Sequence, residues 1–307
     1  MRELGRLGHG AANVGNLYRA MSDEDARAVL EAAWESGIRY FDTAPHYGLG
    51  LSERRLGAFL ATKPRADYVV STKVGRLLRP SPETADRLDD ANQFAVPASL
   101  RRVWDFSADG IRASLEESLE RLGLAEVDVL YLHDPDEHDL DADLATGIPA
   151  LAALRDEGLV GAIGIGSKST AALLAAVRTE ALDLAMVAGR YTLLEQPAAD
   201  ELIPACRATG TGIVAAAVFN SGVLATAEPG QRYEYGAVPP ALLDRARRIA
   251  DVCGRHGVTL PQAALQFPLR EPAVRCVVVG GATPDHVREN ARRMDSELPE
   301  ALWQELA

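Results

Sequence analysis

The chain has 307 residues, of which 47% are apolar and 25% are charged, and its formal net charge is −12. This is an ordinary globular composition, and the length fits either two average domains or one large α/β barrel. The acidic charge argues against nucleic acids and anionic membranes as partners, because proteins bind both through basic side chains.

Short apolar strands alternate with amphipathic helices along the whole chain. The predicted strands cover residues 4–9, 39–42, 68–73, 127–133, 162–166, 184–187, 212–218 and 276–279. The predicted helices cover residues 23–35, 52–60, 108–122, 142–157, 170–178, 195–208, 241–256 and 285–293. Eight strands, each followed by a helix, predict an α/β fold in which a parallel sheet closes into a (β/α)8 TIM barrel, with residues 1–307 as a single domain.

Two connections are longer than the usual few residues. They run from residue 74 to about 107, after the third strand, and from residue 219 to about 239, after the seventh. Loops that follow barrel strands lie on the catalytic face, so we expect both to form a lid or a pocket wall. The first predicted strand starts close to residue 1, so a hairpin under the barrel floor would be very short or absent.

Polar side chains stand at the ends of three successive strands. Asp42, Lys73 and His133 end the second, third and fourth strands, and Tyr47 follows in the loop after the second. A buried ammonium close to a tyrosine hydroxyl favours the phenolate, and Asp42 beside Lys73 would keep the ammonium charged. His133 would orient a substrate oxygen. The set predicts reversible proton transfer to a carbonyl or alcohol oxygen, for which the carbon needs a separate hydride carrier.

The count of lysines supports a special role for one of them. Only three of the 32 basic residues are lysines, namely Lys63, Lys73 and Lys168. Lysine differs from arginine in being a compact point charge, so a chain that uses arginine almost everywhere keeps lysine where that difference matters. We expect this at Lys73, and surface roles at Lys63 and Lys168.

The sequence resembles the aldo-keto reductases over nearly its whole length, in the segments FDTAPHYG, STKVG, SLEESLERLGLAEVDVLYLHDPD and VVVGGATPDHVREN. The resemblance implies a barrel that binds NAD or NADP without a Rossmann domain, with Tyr47 as general acid/base, Asp42 and Lys73 tuning it and His133 positioning the substrate. The segments VGNLY, HDPD, VAGRYTLLEQ and VFNSGVLA look most like the sugar dehydrogenase branch, which implies oxidation of an anomeric hydroxyl to a lactone.

The resemblance also implies a set of cofactor contacts. Gly166 and Ser167 stand where many relatives hold the nicotinamide amide. The other implied contacts follow the seventh and eighth strands: Phe219, Asn220, Ser221, Gly222, Leu224, Gly280, Gly281, Thr283, His286, Glu289 and Asn290. The start of a helix at Thr283 is a good anion site. Gly280, Gly281 and His286 replace cations and a serine of NADP-preferring relatives, so we expect NAD to be accepted at least as well as NADP.

Candidate substrate contacts are aromatic or polar residues near the strand ends. They are Tyr18, His46, Trp104, Arg190 and Tyr191. For each one, a packing or surface role is an equal alternative. The run HDPDEHD at 133–139 contains possible metal ligands, but it lacks the helical spacing of two histidines and the other four histidines are scattered along the chain, so we expect no metal. The three cysteines are too few and too far apart for a disulfide framework.

The sequence therefore predicts a cytoplasmic NAD(P)-dependent oxidoreductase whose substrate is an aldose or a related small carbonyl or hydroxyl compound. The cytoplasmic location is expected because no secretory or membrane-spanning segment is present in the sequence. One alternative is a carbonyl reductase or pyridoxal dehydrogenase of vitamin or secondary metabolism. An alternative from another class is a barrel that binds the cofactor as a sensor or subunit without catalysis; the four filled catalytic positions argue against it.

Overall fold

The computed structural model describes residues 2–233 and 236–306. Within this part of the chain, eight parallel strands close into a barrel in which each strand pairs with its neighbours in chain order and the eighth pairs with the first. The barrel strands are β1 Leu7–Gly10, β2 Tyr40–Asp42, β3 Val69–Val74, β4 Val127–His133, β5 Val160–Ser167, β6 Leu184–Ala188, β7 Gly212–Ala216 and β8 Val274–Val279. The predicted (β/α)8 barrel is confirmed.

The helices surround the barrel and cover the outward side chains of its strands. They are α1 Asp23–Glu35, α2 Leu51–Leu60, α3 Ala108–Leu122, α4 Leu140–Asp156, α5 Thr170–Val177, α6 Leu202–Thr209, α7 Pro240–Arg255, α8 Leu260–Gln266, α9 Pro284–Asp295 and α10 Glu300–Leu306. The sequence did not predict α8 and α10, both only seven residues long. The helix predicted over 195–208 begins only at Leu202. The Thr192 hydroxyl accepts hydrogen bonds from the backbone of Leu194 and Glu195 in a turn, and residues Pro197–Ala199 form a separate 3-10 helix.

The barrel interior is filled at its amino-terminal end. Leu4 lies there, before β1, and packs with Tyr40 and Tyr131 in the interior cluster, while residues 2–6 contain no strand. Gly8 allows this packing, because a Cβ at that position would lie 2.7 Å from Cδ1 of Tyr40. Small residues such as Gly10 face the carboxyl-terminal end, and the interior opens there into a cavity.

The long loop after β3 folds into two antiparallel strand pairs. Residues Arg76–Pro80 pair with Leu100–Trp104, and Leu88–Asp89 pair with Phe94–Pro97. The ring of Phe94 lies 6.2 Å from that of Tyr47, so this loop walls the catalytic face as the sequence predicted.

The long loop after β7 contains the short turn Asn220–Gly222 and the strand pair Arg232–Tyr233 with Gly236–Ala237. Residues 234 and 235 of this loop lie outside the described residues. Across the part of the chain that the structure describes, no helix has both the length and the apolar character needed to cross a membrane.

Candidate active site

The three strand-end side chains singled out in the sequence, Asp42, Lys73 and His133, line one cavity of about 250 Å³ at the carboxyl end of the barrel together with Tyr47. The Lys73 ammonium donates hydrogen bonds to Asp42 Oδ2 at 2.7 Å, to the Thr43 carbonyl at 2.9 Å and to the Tyr47 hydroxyl at 3.1 Å. The rings of Tyr47 and His133 meet edge to face, with centroids 6.0 Å apart. Each of the three ammonium donors thus has an acceptor, and the Tyr47 hydroxyl is held beside a fixed positive charge.

Burial and charge act in opposite directions on Lys73 and Tyr47. Burial lowers the pKa of Lys73, but Asp42 and Tyr47 outweigh it and raise the pKa to about 12, so the ammonium stays charged. Burial raises the pKa of Tyr47 above its ordinary value of 10, while Lys73 lowers it and Asp42 raises it. The sequence argument considered only the effect of the Lys73 ammonium on the pKa of Tyr47. In the structure the effect of burial on this pKa is larger, so Tyr47 is a protonated phenol at neutral pH.

His133 is a neutral imidazole in this site. Burial lowers its pKa well below the ordinary value, and the positive charges of Arg76 and Lys73 lower it further. A neutral imidazole offers one donor and one acceptor nitrogen, so His133 is suited to orient a substrate oxygen rather than to protonate it.

A chain of hydroxyl groups supports Asp42 from inside the barrel, and the sequence analysis missed it. Ser71 Oγ donates to Asp42 Oδ1 at 2.7 Å, and the hydroxyl of Tyr40 lies 3.0 Å from Ser71 Oγ and 3.2 Å from the hydroxyl of Tyr131. Strand periodicity could have revealed it, because Ser71 lies two residues before Lys73, and Tyr40 two residues before Asp42, on the same faces of their strands.

The sequence analysis also missed an ion pair that joins the β3 loop to the end of β4. Arg76 Nη2 donates to Asp134 Oδ2 at 2.6 Å, and Arg76 Nη1 lies 3.1 Å from His46 Nδ1. The guanidinium stacks on the ring of Trp104, 4.3 Å from its centroid. Arg76 therefore fixes both His46 and the residue that follows His133.

A wider cavity of about 540 Å³ adjoins this inner cavity and shares Asn13, Tyr47 and Gly280 with it. Most of the implied cofactor contacts lie along the two cavities. Gly166 and Ser167 line the inner one. The outer one is lined by Phe219, Ser221, Gly222, Gly280, Gly281 and His286 and by the substrate candidates Tyr18 and His46. Together the two cavities form one elongated groove.

The residues along this groove fit a nicotinamide dinucleotide. Gly280 and Gly281 line the outer cavity, and neighbouring side chains leave no room for a Cβ at either position: it would lie 2.4 Å from Asn13 Oδ1 at Gly280 and 2.5 Å from a methyl group of Val287 at Gly281. Thr283 caps α9 by accepting a hydrogen bond from the backbone of His286, and this helix start is suited to a phosphate.

Several predicted binding residues lie outside both cavities. Asn220 lines a small neighbouring recess with Arg190, whose Nε donates to the Lys168 carbonyl. Asn220 Oδ1 is buried and has no hydrogen-bond partner among the described residues. The other predicted binding residues outside the cavities contact the protein itself. Leu224 packs in the core, and Glu289 and Asn290 accept hydrogen bonds from Arg293. Trp104 stacks against the Arg76 guanidinium, and Tyr191 packs against Phe267. Leu224 is thus a buried core residue, and for Tyr191 the structure shows the packing contact that the sequence analysis gave as the alternative.

The acidic run at 133–139 is used for internal contacts. His138 pairs with Asp143 at 2.9 Å, and Asp136 accepts a hydrogen bond from Ser167 at 2.7 Å. Among residues 2–233 and 236–306, no group of three or more histidine, cysteine or acidic side chains is arranged to hold a metal ion.

Comparison with known proteins agrees with this geometry. The model of the aldo/keto reductase family matches residues 6–307. A D-threo-aldose 1-dehydrogenase from a Pseudomonas species is 63% identical, over 98% of this chain and 92% of that protein. Pyridoxal 4-dehydrogenase from Microbacterium luteolum is 38% identical, over 98% of this chain and 95% of that protein. The glycerol dehydrogenase structure from Gluconobacter oxydans, at 20% identity, has the same fold, with a TM-score of 0.76 over 99% of this chain and 90% of that one. The chain belongs to the aldo/keto reductase family and is an oxidoreductase that uses a nicotinamide cofactor.

Proposed function

We propose that this enzyme oxidises the anomeric hydroxyl of an aldose to the lactone. The observation that carries the proposal is the Tyr47 hydroxyl, held 3.1 Å from the charged Lys73 ammonium in a cavity that also exposes His133. The 63% identity with an aldose 1-dehydrogenase supports this choice of substrate.

Tyr47 is the general acid/base of the proposed reaction. A substrate oxygen that binds between the Tyr47 hydroxyl and the His133 ring can exchange a proton with Tyr47 in either direction. In oxidation the phenolate form of Tyr47 accepts the hydroxyl proton, and the adjacent Lys73 stabilises that phenolate. A bound nicotinamide cofactor supplies the hydride acceptor. Because Tyr47 has a raised pKa, aldose oxidation is expected to become faster as the pH rises.

The lining of the inner cavity suits a small hydroxylated substrate. His133, Asp134 and Asn13 supply polar atoms, while Leu17 and Met186 supply apolar walls. A sugar presents both hydroxyl groups and C–H faces, and such a mixed wall contacts both kinds of surface.

We also propose that NAD is accepted at least as well as NADP. Gly280 and Gly281 offer no cation to a 2′-phosphate, and Arg288 is engaged by Glu35 and Asp285 at 3.3 and 3.5 Å. Arg19, which the sequence analysis did not consider, donates to the Ala282 carbonyl at 2.6 Å and is a cation close to this segment. The ratio of kcat/KM values measures the preference, and a ratio of about ten or more in favour of NADP would refute the proposal.

The proposed substrate class is tested by following the absorbance of reduced nicotinamide with a panel of compounds. L-fucose, L-galactose, D-galactose and D-arabinose represent aldoses, and pyridoxal and simple aldehydes represent the alternatives. Turnover of at least one aldose is expected. Turnover of pyridoxal alone would favour the second candidate, a pyridoxal dehydrogenase, which the 38% identity supports. If no compound reacts with either cofactor, the aldose proposal fails.

A further inference from the structure

Asp134 is a partly buried carboxylate that lines the catalytic cavity and has no part in the proton transfer described above. It follows His133 at the end of β4 and has φ 46° and ψ 55°, in the left-handed region. Only glycine, asparagine and aspartate enter this region readily, and Pro135 restricts the position further. A hydrogen bond of 2.9 Å from the Asp134 backbone N–H to the Gly166 carbonyl fixes the conformation.

The protein satisfies only one oxygen of this carboxylate. Arg76 donates to Oδ2, and His133 Nε2 lies 3.4 Å from the same oxygen. Oδ1 accepts no hydrogen bond from the described residues, although the side chain is only 20% exposed. Burial raises the pKa of Asp134 to about 6 against the effect of Arg76, so the group is an under-solvated anion at neutral pH. An ionised carboxylate can accept about four hydrogen bonds, so Asp134, which lines the cavity, has acceptor capacity left for a ligand.

We propose that Asp134 determines specificity by accepting a hydrogen bond from a substrate hydroxyl on the carbon next to the reacting carbon. This inference rests on the proposed function, in which the reacting oxygen lies between Tyr47 and His133. Asp134 Oδ2 lies 3.4 Å from His133 Nε2 and the carboxylate lines the same cavity, so it flanks the position of the reacting oxygen and is within reach of a hydroxyl on the adjacent carbon. The carboxylate would therefore select 2-hydroxy aldehydes and aldoses over compounds without that hydroxyl.

Arg76 is the positioning residue for this contact. It holds Asp134 through Nη2 and approaches His46 through Nη1, and its guanidinium lies on Trp104, its partner on the neighbouring strand of the β3 loop. Because Arg76 is itself buried, its planar guanidinium is fixed and the carboxylate cannot turn away from the cavity.

The inference is tested with two substrate pairs that differ only at the neighbouring carbon. The first pair is D-arabinose and 2-deoxy-D-ribose, which is its 2-deoxy form, in oxidation. The second pair is glycolaldehyde and propanal, of similar size, in reduction. The wild-type enzyme is expected to prefer the hydroxylated member by about 10- to 100-fold in kcat/KM, the usual effect of a hydrogen bond to a charged group. In Asp134→Ala the preference is expected to fall below about threefold, mainly through loss on the hydroxylated member.

Glu137→Gln is the matched control. Glu137 contacts the same Arg76 nitrogen at 3.0 Å but is 57% exposed and does not line the catalytic cavity, so the preference should be unchanged. If Asp134→Ala does not fold, Asp134→Asn keeps the shape and tolerates the left-handed backbone. Its amide oxygen would accept the hydrogen bond from Arg76, and its amide N–H groups cannot accept a hydrogen bond from the substrate hydroxyl. The preference for the hydroxylated member of each pair should therefore fall at least threefold.

The two pairs separate this inference from the proposed function. A preference for glycolaldehyde that is lost in the Asp134 variants, with no sugar oxidised, would contradict the aldose proposal and support the role of Asp134. Oxidation of aldoses without any preference in either pair, or with a preference that survives in Asp134→Ala, would overturn the role of Asp134 and leave the aldose proposal standing.

Discussion

Removal of the Lys73 ammonium tests how the site controls the proton of Tyr47. Lys73 is 2% exposed and lies 3.1 Å from the tyrosine hydroxyl. At an effective dielectric constant of about 20, two unit charges at that separation interact by about 5 kcal/mol. Lys73→Met is therefore expected to raise the pKa of Tyr47 further and to move the phenolate out of the accessible pH range.

The assay is the pH profile of kcat/KM for aldose oxidation. In the wild type, kcat/KM should rise with pH toward the pKa of Tyr47. In Lys73→Met it should be lower by about 10³- to 10⁴-fold near pH 8 and still rise at the highest pH measured. Lys63→Met is the matched control, since Lys63 pairs with Glu31 away from the cavity, and its profile should match the wild type.

Loss of the ammonium also leaves Asp42 as a buried charge without its partner, which typically costs about 3–5 kcal/mol of stability. The double variant Asp42→Asn with Lys73→Met removes both charges and should recover part of that stability without recovering activity. A wild-type pH profile in Lys73→Met, or an equal loss in Lys63→Met, would refute this explanation of the site.

Three further predictions concern parts of the structure that support the site. Ser71→Ala removes the hydrogen bond to Asp42 Oδ1 and should lower kcat/KM by about tenfold with little change in the cofactor KM. Gly280→Ala places a methyl group where Asn13 now lies and should raise the cofactor KM by about 5- to 100-fold; an unchanged cofactor KM would contradict the assigned groove. Burial lowers the pKa of His9 from 6.5 to about 4. The contribution of neutral His9 to the free energy of unfolding is therefore complete above pH 6.5 and decreases by up to about 3 kcal/mol as the pH falls toward 4. In urea unfolding, the free energy of unfolding should decrease less over this pH range in His9→Leu than in the wild type, and an equal decrease in both would contradict the prediction.

The barrel and the grouping of the candidate catalytic residues in one cavity could be predicted because their signals are local. Each strand is a short apolar run, and Asp42, Lys73 and His133 stand at strand ends, which a closed parallel barrel brings to one face. The partnership of Arg76 with Asp134 could not be predicted, because 58 residues separate them and the contact depends on how the β3 loop folds back. The direction of the Tyr47 pKa was also out of reach, because it depends on burial that the sequence does not show.

The binding residues illustrate the same limit. Gly280 and Gly281 follow β8 directly, and the structure places them on the outer cavity. Leu224 and Tyr191 lie in the same kind of segment by sequence, yet their side chains turn into the core. The direction of a side chain in a loop depends on tertiary packing rather than on a strand or helix period, so residues such as these need the structure.

The most direct test of the central claim is the activity of Tyr47→Phe, measured with an aldose that the wild type oxidises. Phenylalanine keeps the ring that packs near Phe94 and His133 and removes only the hydroxyl. The proposed mechanism predicts a loss of at least about 10²- to 10⁴-fold in kcat/KM for oxidation and for the reverse reduction, with an unchanged Kd for the cofactor. Turnover near the wild-type rate would contradict the assignment of Tyr47 as the general acid/base.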